Sequence, residues 1–247
     1  MFTGIVEEVG TVSSIVRGAS SAVLTIAAAR VLEGTRVGDS IATNGVCLTV
    51  TRIEGGAFCA DVMHETLNRS SLGSLRAGSP VNLERAMPAD GRFGGHLVSG
   101  HIDGTGKIVR ITPDDNAVWY RIAAQPAILR YVVEKGSVAV DGISLTVARV
   151  DRDALEVSLI PHTRANTSLA AKATGDVVIL ECDIVGKYVE KLLGAGGTGA
   201  PPEIAPAGRG VVGMGVGGAG GSFDAGNSFG ADADGELTLE FLAEHGF

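Results

Sequence analysis

The chain has 247 residues, of which 45% are hydrophobic and 19% charged, and its formal net charge is -8. An acidic protein has no general electrostatic attraction for nucleic acid or anionic membranes, so we expect neither as a partner. No apolar stretch approaches the roughly 18 residues that span a bilayer, and MFTGIVEEVG at the start carries two glutamates where a secretory signal would be basic. The three cysteines, Cys47, Cys59 and Cys182, show no metal-ligand spacing, which predicts reduced thiols and a cytoplasmic protein.

Short β-branched runs separated by Gly, Asp, Asn and Ser predict strands along most of the chain. Asn-Gly at 44–45 and Asp-Gly at 141–142 predict tight turns, since both residue types tolerate a positive φ. The spacing of the apolar residues departs from strand alternation at 66–72 and 126–134, where short helical turns are expected. In chain order, the predicted strands are 2–12, 22–28, 37–43, 46–53, 57–63 and 80–85, followed by 98–110, 117–123, 136–141, 143–150, 154–160 and 177–183.

The second set of strands repeats the first at a spacing of 97 residues. SIATNGVCLTVTRIE at 40–54 aligns with SVAVDGISLTVARVD at 137–151, and seven of the fifteen positions are identical. In the same register Glu84 falls on Glu181, and with one residue of adjustment 2–12 aligns with 98–108. The two halves are therefore expected to share one fold.

Six short antiparallel strands would leave open edges in a flat sheet, and closure into a small barrel removes those edges. The sequence predicts an all-β protein with one barrel in residues 1–96 and a second in 97–185.

The end of the chain has a different composition. DIVGKYVEKLL predicts an amphipathic helix at 186–193, and residues 194–230 contain 14 glycines in 37 positions, which predicts a disordered linker within a tail of 194–247. The last residues, ELTLEFLAEHGF, have the apolar spacing of a short amphipathic helix.

Small polar residues recur at matched positions of the repeat. Strand alternation places Cys47 and Thr49 on one face of their strand, and Ser144 and Thr146 on the matching face of theirs. Such side chains are either satisfied internally or line a binding surface. Their repetition favours two similar ligands or two halves of one pseudo-symmetric site.

The sequence gives little support for three other kinds of site in this region. His96 and His101 are a candidate metal pair, but five residues apart on one strand they would face opposite ways, and no third ligand is near. Ser144, His101 and Asp183 could form a Ser-His-Asp trio, although most chains of this length offer one. GTG at 104–106 lacks the glycine spacing of a dinucleotide site.

A series of short motifs runs along the chain: MFTGIVEE, NGVCLTV, MHETL at 63–67, ERA at 84–86, GGHLVSGHIDGTG, DGISLTV, IPHT at 160–163 and DIVGKYVEKLL. In this order they resemble the α-type riboflavin synthase family. The similarity covers about residues 1–193 and does not include the Gly-rich segment.

The resemblance implies two tandem Greek-key barrels, each binding one 6,7-dimethyl-8-ribityllumazine. It implies the transfer of a four-carbon unit between two lumazines, giving riboflavin and 5-amino-6-(D-ribitylamino)uracil, with no metal or organic cofactor. It further implies a homotrimer held partly by the helix at 186–193, active sites between subunits, and an association with lumazine synthase.

The resemblance also implies which residues form the two pockets. His101 is the candidate general acid or base, and Cys47 is either the nucleophile or an inert pocket thiol. Ser144 and Thr146 are expected to bind the ring of the substrate, with Ser40, Asn82 and Asp183 as weaker polar support. The expected N-terminal pocket contains Gly4, Ile5, Val6, Cys47, Leu48, Thr49, Asp61, Val62, Met63, His64, Glu65 and Thr66. The expected C-terminal pocket contains Gly100, His101, Ile102, Lys135, Ser144, Leu145, Thr146, Ile160, Pro161, His162, Thr163, Arg164 and Ala165.

Sequence differences between the halves suggest unequal pockets. Two copies of one substrate with different chemical roles need related but unequal sites, so Cys47 opposite Ser144 and Asn44 opposite Asp141 are expected to create that asymmetry. Thr43 and His64 depart from the family pattern beside the N-terminal pocket. The alternatives are a lumazine- or flavin-binding antenna protein without turnover, a flavin-dependent reductase and a trimeric scaffold.

Overall fold

The structure, a computed structural model, describes residues 1–19 and 21–195. The predicted Gly-rich linker and terminal helix lie outside the described residues. Both repeats belong to one compact unit.

The first repeat is a closed antiparallel barrel with the strand order β1-β2-β5-β4-β3-β6. Its core is formed by alternate side chains of each strand. In β2 the side chains of Ala22, Leu24 and Ile26 point into the barrel, and those between them point outward. The order confirms a Greek-key barrel. Its strands are β1 (Glu8–Arg17), β2 (Ser21–Ala27), β3 (Ser40–Thr43), β4 (Val46–Glu54), β5 (Ala57–Met63) and β6 (Pro80–Arg85).

The second repeat also forms a closed antiparallel barrel, and its strands follow the same order as the equivalent strands of the first repeat. Ile108, Ile122, Val147 and Val157 lie in its core. The strands are β7 (Gly104–Asp114), β8 (Ala117–Ala123), β9 (Ser137–Val140), β10 (Ile143–Val150), β11 (Ala154–Leu159) and β12 (Val177–Cys182).

The first strand of each repeat begins six residues later than predicted. The predicted starts at 2 and 98 are wrong because those segments leave their own sheets: Phe2 and Val98 form an isolated bridge with each other. Phe2 and Val98 pack with Ala42 and Ala139, so this bridge is the centre of the contact between the barrels. The chain therefore crosses from one barrel to the other at the start of each repeat.

The two predicted tight turns are confirmed. Asn44 and Gly45 have φ of 46° and 82°, and Asp141 and Gly142 have φ of 47° and 77°, as a type I′ hairpin turn requires. The turns abut one another, because a Cβ built on Gly45 would lie only 2.8 Å from the Gly142 nitrogen. Glycine is needed there both for its conformation and for the close approach.

Short helices flank the barrels, and a longer one follows the second. The predicted turn at 66–72 is α1 (His64–Arg69) and a 3₁₀ turn at Ser71–Ser74, and that at 126–134 is α2 (Pro126–Leu129). α3 is Pro161–Ala165, and α4 (Ile184–Ala195) extends the helix predicted at 186–193. Within the described residues, no helix is long and apolar enough to cross a membrane.

Candidate functional site

The segments 2–6 and 98–102 each lie against the barrel of the other repeat. The Ser144 amide donates to the Gly4 carbonyl at 2.8 Å, and the Cys47 amide donates to the Gly100 carbonyl at 2.9 Å. Val6 packs against the core of the second barrel and Ile102 against that of the first. The predicted grouping is therefore wrong in one respect: Gly4, Ile5 and Val6 belong with the C-terminal barrel, and Gly100, His101 and Ile102 with the N-terminal one.

Two matched glutamates hold these crossing segments. Glu84 accepts hydrogen bonds from the Thr3 amide and hydroxyl, both at 2.7 Å, and from the Gly4 amide at 2.9 Å. Glu181 accepts the equivalent three from Ser99 and Gly100 at 2.6, 2.7 and 3.1 Å. Burial raises the pKa of Glu84, although these hydrogen bonds act in the opposite direction. The alignment of Glu84 with Glu181 was visible in sequence, but its purpose was not.

The repeated polar residues lie on the outer faces of β4 and β10. Cys47 and Ser144 are half-buried, and Thr49 and Thr146 are exposed, as strand alternation predicts. Leu48, Leu145 and Val62 point into the barrels, so they can offer a ligand only their backbone groups.

The neighbouring strands and helices extend each face. Beside Thr49 lies Asp61 of β5, since Ala60 pairs with Val50; beside Thr146 lies Ser158 of β11, since Val157 pairs with Val147. The β5 and β11 ends carry exposed Met63 and Ile160. The remaining predicted residues form α1 and α3, in which His64, Glu65, Pro161, His162, Arg164 and Ala165 are exposed and Thr66 and Thr163 half-buried.

Lys135 occupies a strained position. Its φ is 66°, and its amide donates to the Val147 carbonyl; Gly38, with φ of 97°, makes the same bond to Val50 in the first repeat. A left-handed conformation costs a side-chain-bearing residue roughly 1–2 kcal/mol that glycine avoids. The second barrel thus carries a lysine where the first has a glycine, at a cost in backbone energy.

His96, not His101, is the partner of Ser144. The His96 Nδ1 lies 2.7 Å from the Ser144 hydroxyl, and the ring is 7% exposed. The predicted Ser144–His101–Asp183 trio is wrong, because His101 lies beside β4 of the other barrel. The strand argument about His96 and His101 also fails, because the only β pairing between them is the isolated bridge at Val98. No pattern in the sequence signalled the contact of His96 with Ser144, which depends on the crossing of the segment.

The environment of His96 opposes protonation of its imidazole. Burial lowers the pKa of His96, while the charges of Asp183 and Glu181 act in the opposite direction. Its Nε2 is enclosed and has no hydrogen-bonding partner among residues 1–19 and 21–195. Across the same residues, no group of three or more His, Cys, Asp or Glu side chains has the arrangement of a metal site.

Asn44 and Asp141 lie in the contact between the barrels, so the expectation that they differentiate the pockets is wrong. Each accepts a hydrogen bond from the strand behind it: Asn44 from the Asn82 amide at 2.8 Å and Asp141 from the Ile179 amide at 2.7 Å. The Asn82 side chain donates to the Asp141 carbonyl and accepts from the Ser168 amide. These residues join the two repeats.

The other polar candidates have local roles. Ser40 pairs with Thr49 across β3 and β4, and Asp183 accepts from the Val185 amide at the start of α4. Thr43 is fully buried, so its side chain does not line an exposed pocket surface. A groove of about 800 Å³ is lined by Thr3, Ile5 and residues within 84–94. It adjoins the C-terminal face, because Gly4, between Thr3 and Ile5, accepts the hydrogen bond from the Ser144 amide.

Comparison with known proteins identifies both repeats. The lumazine binding domain family matches residues 3–86 and 99–183. A riboflavin synthase of Actinobacillus pleuropneumoniae is 58% identical over 193 residues, 78% of this chain and 90% of that protein. A riboflavin synthase of Mycobacterium bovis is 53% identical over 201 residues, 80% of this chain and all of that protein.

Solved structures share the fold. LumP complexed with riboflavin superposes with a TM-score of 0.69 at 24% identity, covering 74% of this chain and 99% of that one. LumP complexed with 6,7-dimethyl-8-(1'-D-ribityl) lumazine gives a TM-score of 0.67 at 23% identity, covering 73% and 98%.

Proposed function

The chain belongs to the riboflavin synthase family, with its duplicated lumazine-binding domain, and we propose that it converts two 6,7-dimethyl-8-ribityllumazine molecules into riboflavin and 5-amino-6-(D-ribitylamino)uracil. The observation that carries this proposal is a pair of related but unequal polar faces on two barrels of one chain. A reaction between two copies of one substrate needs two related sites, and different chemical roles need the sites to differ.

The chemistry follows from the substrate. The C7 methyl group of the lumazine is acidic, because the anion formed on its deprotonation delocalises into the ring. One lumazine must lose that proton, and the other must be attacked at C7 by a nucleophile. Holding the two rings face to face contributes to catalysis directly, since well-oriented pairs gain roughly 7–11 kcal/mol of the barrier.

Roles for individual residues follow from their positions. Ser144 and Thr146 would hydrogen-bond the ring in the C-terminal pocket. His101 would serve as a general acid or base at the N-terminal pocket, beside Cys47. The attacking group at C7 is either the Cys47 thiolate or water. Cys47→Ser separates these two, because loss of nearly all turnover favours the thiol and a mild effect favours water.

We infer that each active site joins the N-terminal barrel of one subunit to the C-terminal barrel of its neighbour in a homotrimer. α4 supports this assembly: it is anchored by Lys187 to Asp103 at 2.6 Å, yet leaves an apolar face exposed. Exposed apolar patches of this kind mark protein contacts. That face consists of Val185, Tyr188, Val189, Leu192 and Leu193.

Sedimentation measurements test the assembly. Leu192→Asp should shift the protein from trimer to monomer and lose riboflavin formation, whereas Lys191→Asp changes charge beside that face and should remain trimeric. A monomeric, fully active Leu192→Asp protein would overturn the inter-subunit site. A cytoplasmic location and an association with lumazine synthase remain predictions.

The activity is tested by mixing purified protein with 6,7-dimethyl-8-ribityllumazine, without metal or nucleotide, and following riboflavin by absorbance and chromatography. We expect one riboflavin for every two lumazines consumed. Tight binding without turnover would contradict the proposal and indicate a lumazine-holding protein.

A further inference from the structure

On the polar face of the C-terminal barrel, the hydroxyl of Ser144 contacts the buried ring of His96. Ser144 is half-buried on the outer face of β10, and its hydroxyl lies 2.7 Å from Nδ1 of a histidine that is otherwise enclosed by protein. Ser144 reaches the binding surface, and His96 lies behind it. A hydroxyl backed by a neutral imidazole can pass a proton inward, which a hydroxyl alone cannot do at neutral pH.

The segment that carries His96 is held rigidly. The His96 amide donates to the Thr3 carbonyl, and a Cβ added to the preceding Gly95 would lie 2.0 Å from the same oxygen. Thr3 is itself fixed by Glu84. Because the backbone on both sides is fixed, the imidazole has little freedom to leave Ser144.

The charged groups differ between the two polar faces in a direction that favours an anion on the second. Asp61 lies beside Thr49, but its counterpart beside Thr146 is Ser158. The first repeat has Gly38 where the second has Lys135, an exposed residue whose amide donates to the carbonyl of Val147, the residue after Thr146. A carboxylate opposes a negative charge on the ligand and an ammonium group favours it.

Resting on the function proposed above, we infer that the C-terminal barrel binds the lumazine that is deprotonated at C7, and that Ser144 and His96 take the proton. The C–H bond of the methyl group breaks and its electron pair remains on the lumazine, delocalised into the ring. The proton passes to the Ser144 oxygen while the Ser144 proton passes to the His96 Nδ1, with the resting imidazole carrying its proton on Nε2. The N-terminal barrel then holds the lumazine that is attacked.

His96 acts through Ser144, so its role is tested by proton exchange and not by turnover alone. In deuterated buffer, the protein should exchange the C7 methyl protons of 6,7-dimethyl-8-ribityllumazine faster than buffer does, as followed by proton NMR. His96→Gln keeps a hydrogen-bonding group beside Ser144 but cannot take up a proton. We expect it to slow exchange about 100-fold or more while lumazine binding, followed by fluorescence titration, changes little.

Matched changes in the two barrels locate the step. Ser144→Ala should slow exchange as His96→Gln does, and Cys47→Ala should slow exchange less than Ser144→Ala does, even where it slows riboflavin formation. Ser158→Asp, which copies Asp61 into the second barrel, should also slow exchange, and Asp61→Ser should slow it less. If His96→Gln fails to fold in a thermal melt, Ser144→Ala and Ser158→Asp decide the question on their own.

Two results would overturn the inference while leaving the proposed function standing. One is a parent protein that makes riboflavin together with a folded His96→Gln or Ser144→Ala variant that exchanges at the parent rate. The other is loss of exchange in Cys47→Ala alone. Failure of the parent protein to make riboflavin would instead contradict the function itself.

Discussion

The two barrels share one fold, yet they differ where they meet a ligand and where they meet each other. At the matched outer positions the first barrel has Cys47, Asp61 and Gly38, and the second has Ser144, Ser158 and Lys135. At the contact between them, Asn82 reaches into the second repeat, whereas its counterpart Ile179 packs into the core of the first. The two repeats therefore share the same barrel backbone, and differences in single side chains at equivalent positions make the two barrels unequal.

The largest effect is expected from removing the imidazole beside the N-terminal barrel. His101 occupies the position that Ile5 has beside the C-terminal barrel, so only one of the two crossing segments presents an acid–base group at that point. We expect His101→Gln to lower kcat by about 10²–10⁴ with little change in lumazine affinity. Steady-state kinetics measure this, and Ile5→Ala is the matched change, with a smaller expected loss. Unchanged turnover in His101→Gln would remove His101 from the mechanism.

The contact between the turns comes next. Gly45→Ala places a methyl group against the Gly142 backbone at a positive φ, and we expect a loss of about 2–4 kcal/mol in the free energy of unfolding. Gly34 has φ of 76° with open space around it, so Gly34→Ala isolates the conformational cost at about 1–2 kcal/mol. Urea unfolding measures both losses. Equal losses in the two variants would mean that the close contact between the turns does not contribute to the free energy of unfolding.

The two glutamate clamps should respond alike. In Glu84→Gln or Glu181→Gln, an amide NH₂ group replaces a carboxylate oxygen that accepts a hydrogen bond from a backbone N–H group. Two donors then face each other, and we expect each variant to lose about 1–3 kcal/mol in the free energy of unfolding. Urea unfolding of the two variants compares the clamps directly. A large loss in one and none in the other would show that the crossing segments are held by different means.

The smallest effect concerns Asp141, and it depends on pH. Burial raises the pKa of Asp141, with Lys172 and the Ile179 amide acting in the opposite direction. Because the pKa of Asp141 is higher in the folded than in the unfolded protein, its contribution to the free energy of unfolding is most favourable below the unfolded-state pKa of about 3.9. That contribution is lost as the pH rises from there through the folded-state pKa. Asp141→Asn copies Asn44, keeps the acceptor for Ile179 and removes this loss. Its stability relative to the parent should therefore increase from about pH 4 towards neutrality, as measured by urea unfolding across that range; a constant difference would contradict the buried charge as its cause.

Much of the fold was predictable because duplication and alternation are written along the chain. The strands of both halves, the two I′ turns and the outward polar positions on β4 and β10 follow from period-two patterns and from Asn-Gly and Asp-Gly. The starts of β1 and β7 were misplaced because 2–6 and 98–102 keep strand-like composition while pairing outside their own sheets.

The sequence by itself determined two copies of one barrel and the family to which they belong, because these depend on local periodicity and on residue identity. Only the tertiary structure decided that the crossing segments exchange barrels, that His96 meets Ser144 across 48 positions, and that Asn44 and Asp141 join the barrels. These features depend on contacts between groups far apart in the chain. The crossing segments are held in place by the burial of Phe2 against Val98 and by hydrogen bonds to the carboxylates of Glu84 and Glu181. A pattern along one strand specifies which way a side chain points, but not what it will meet.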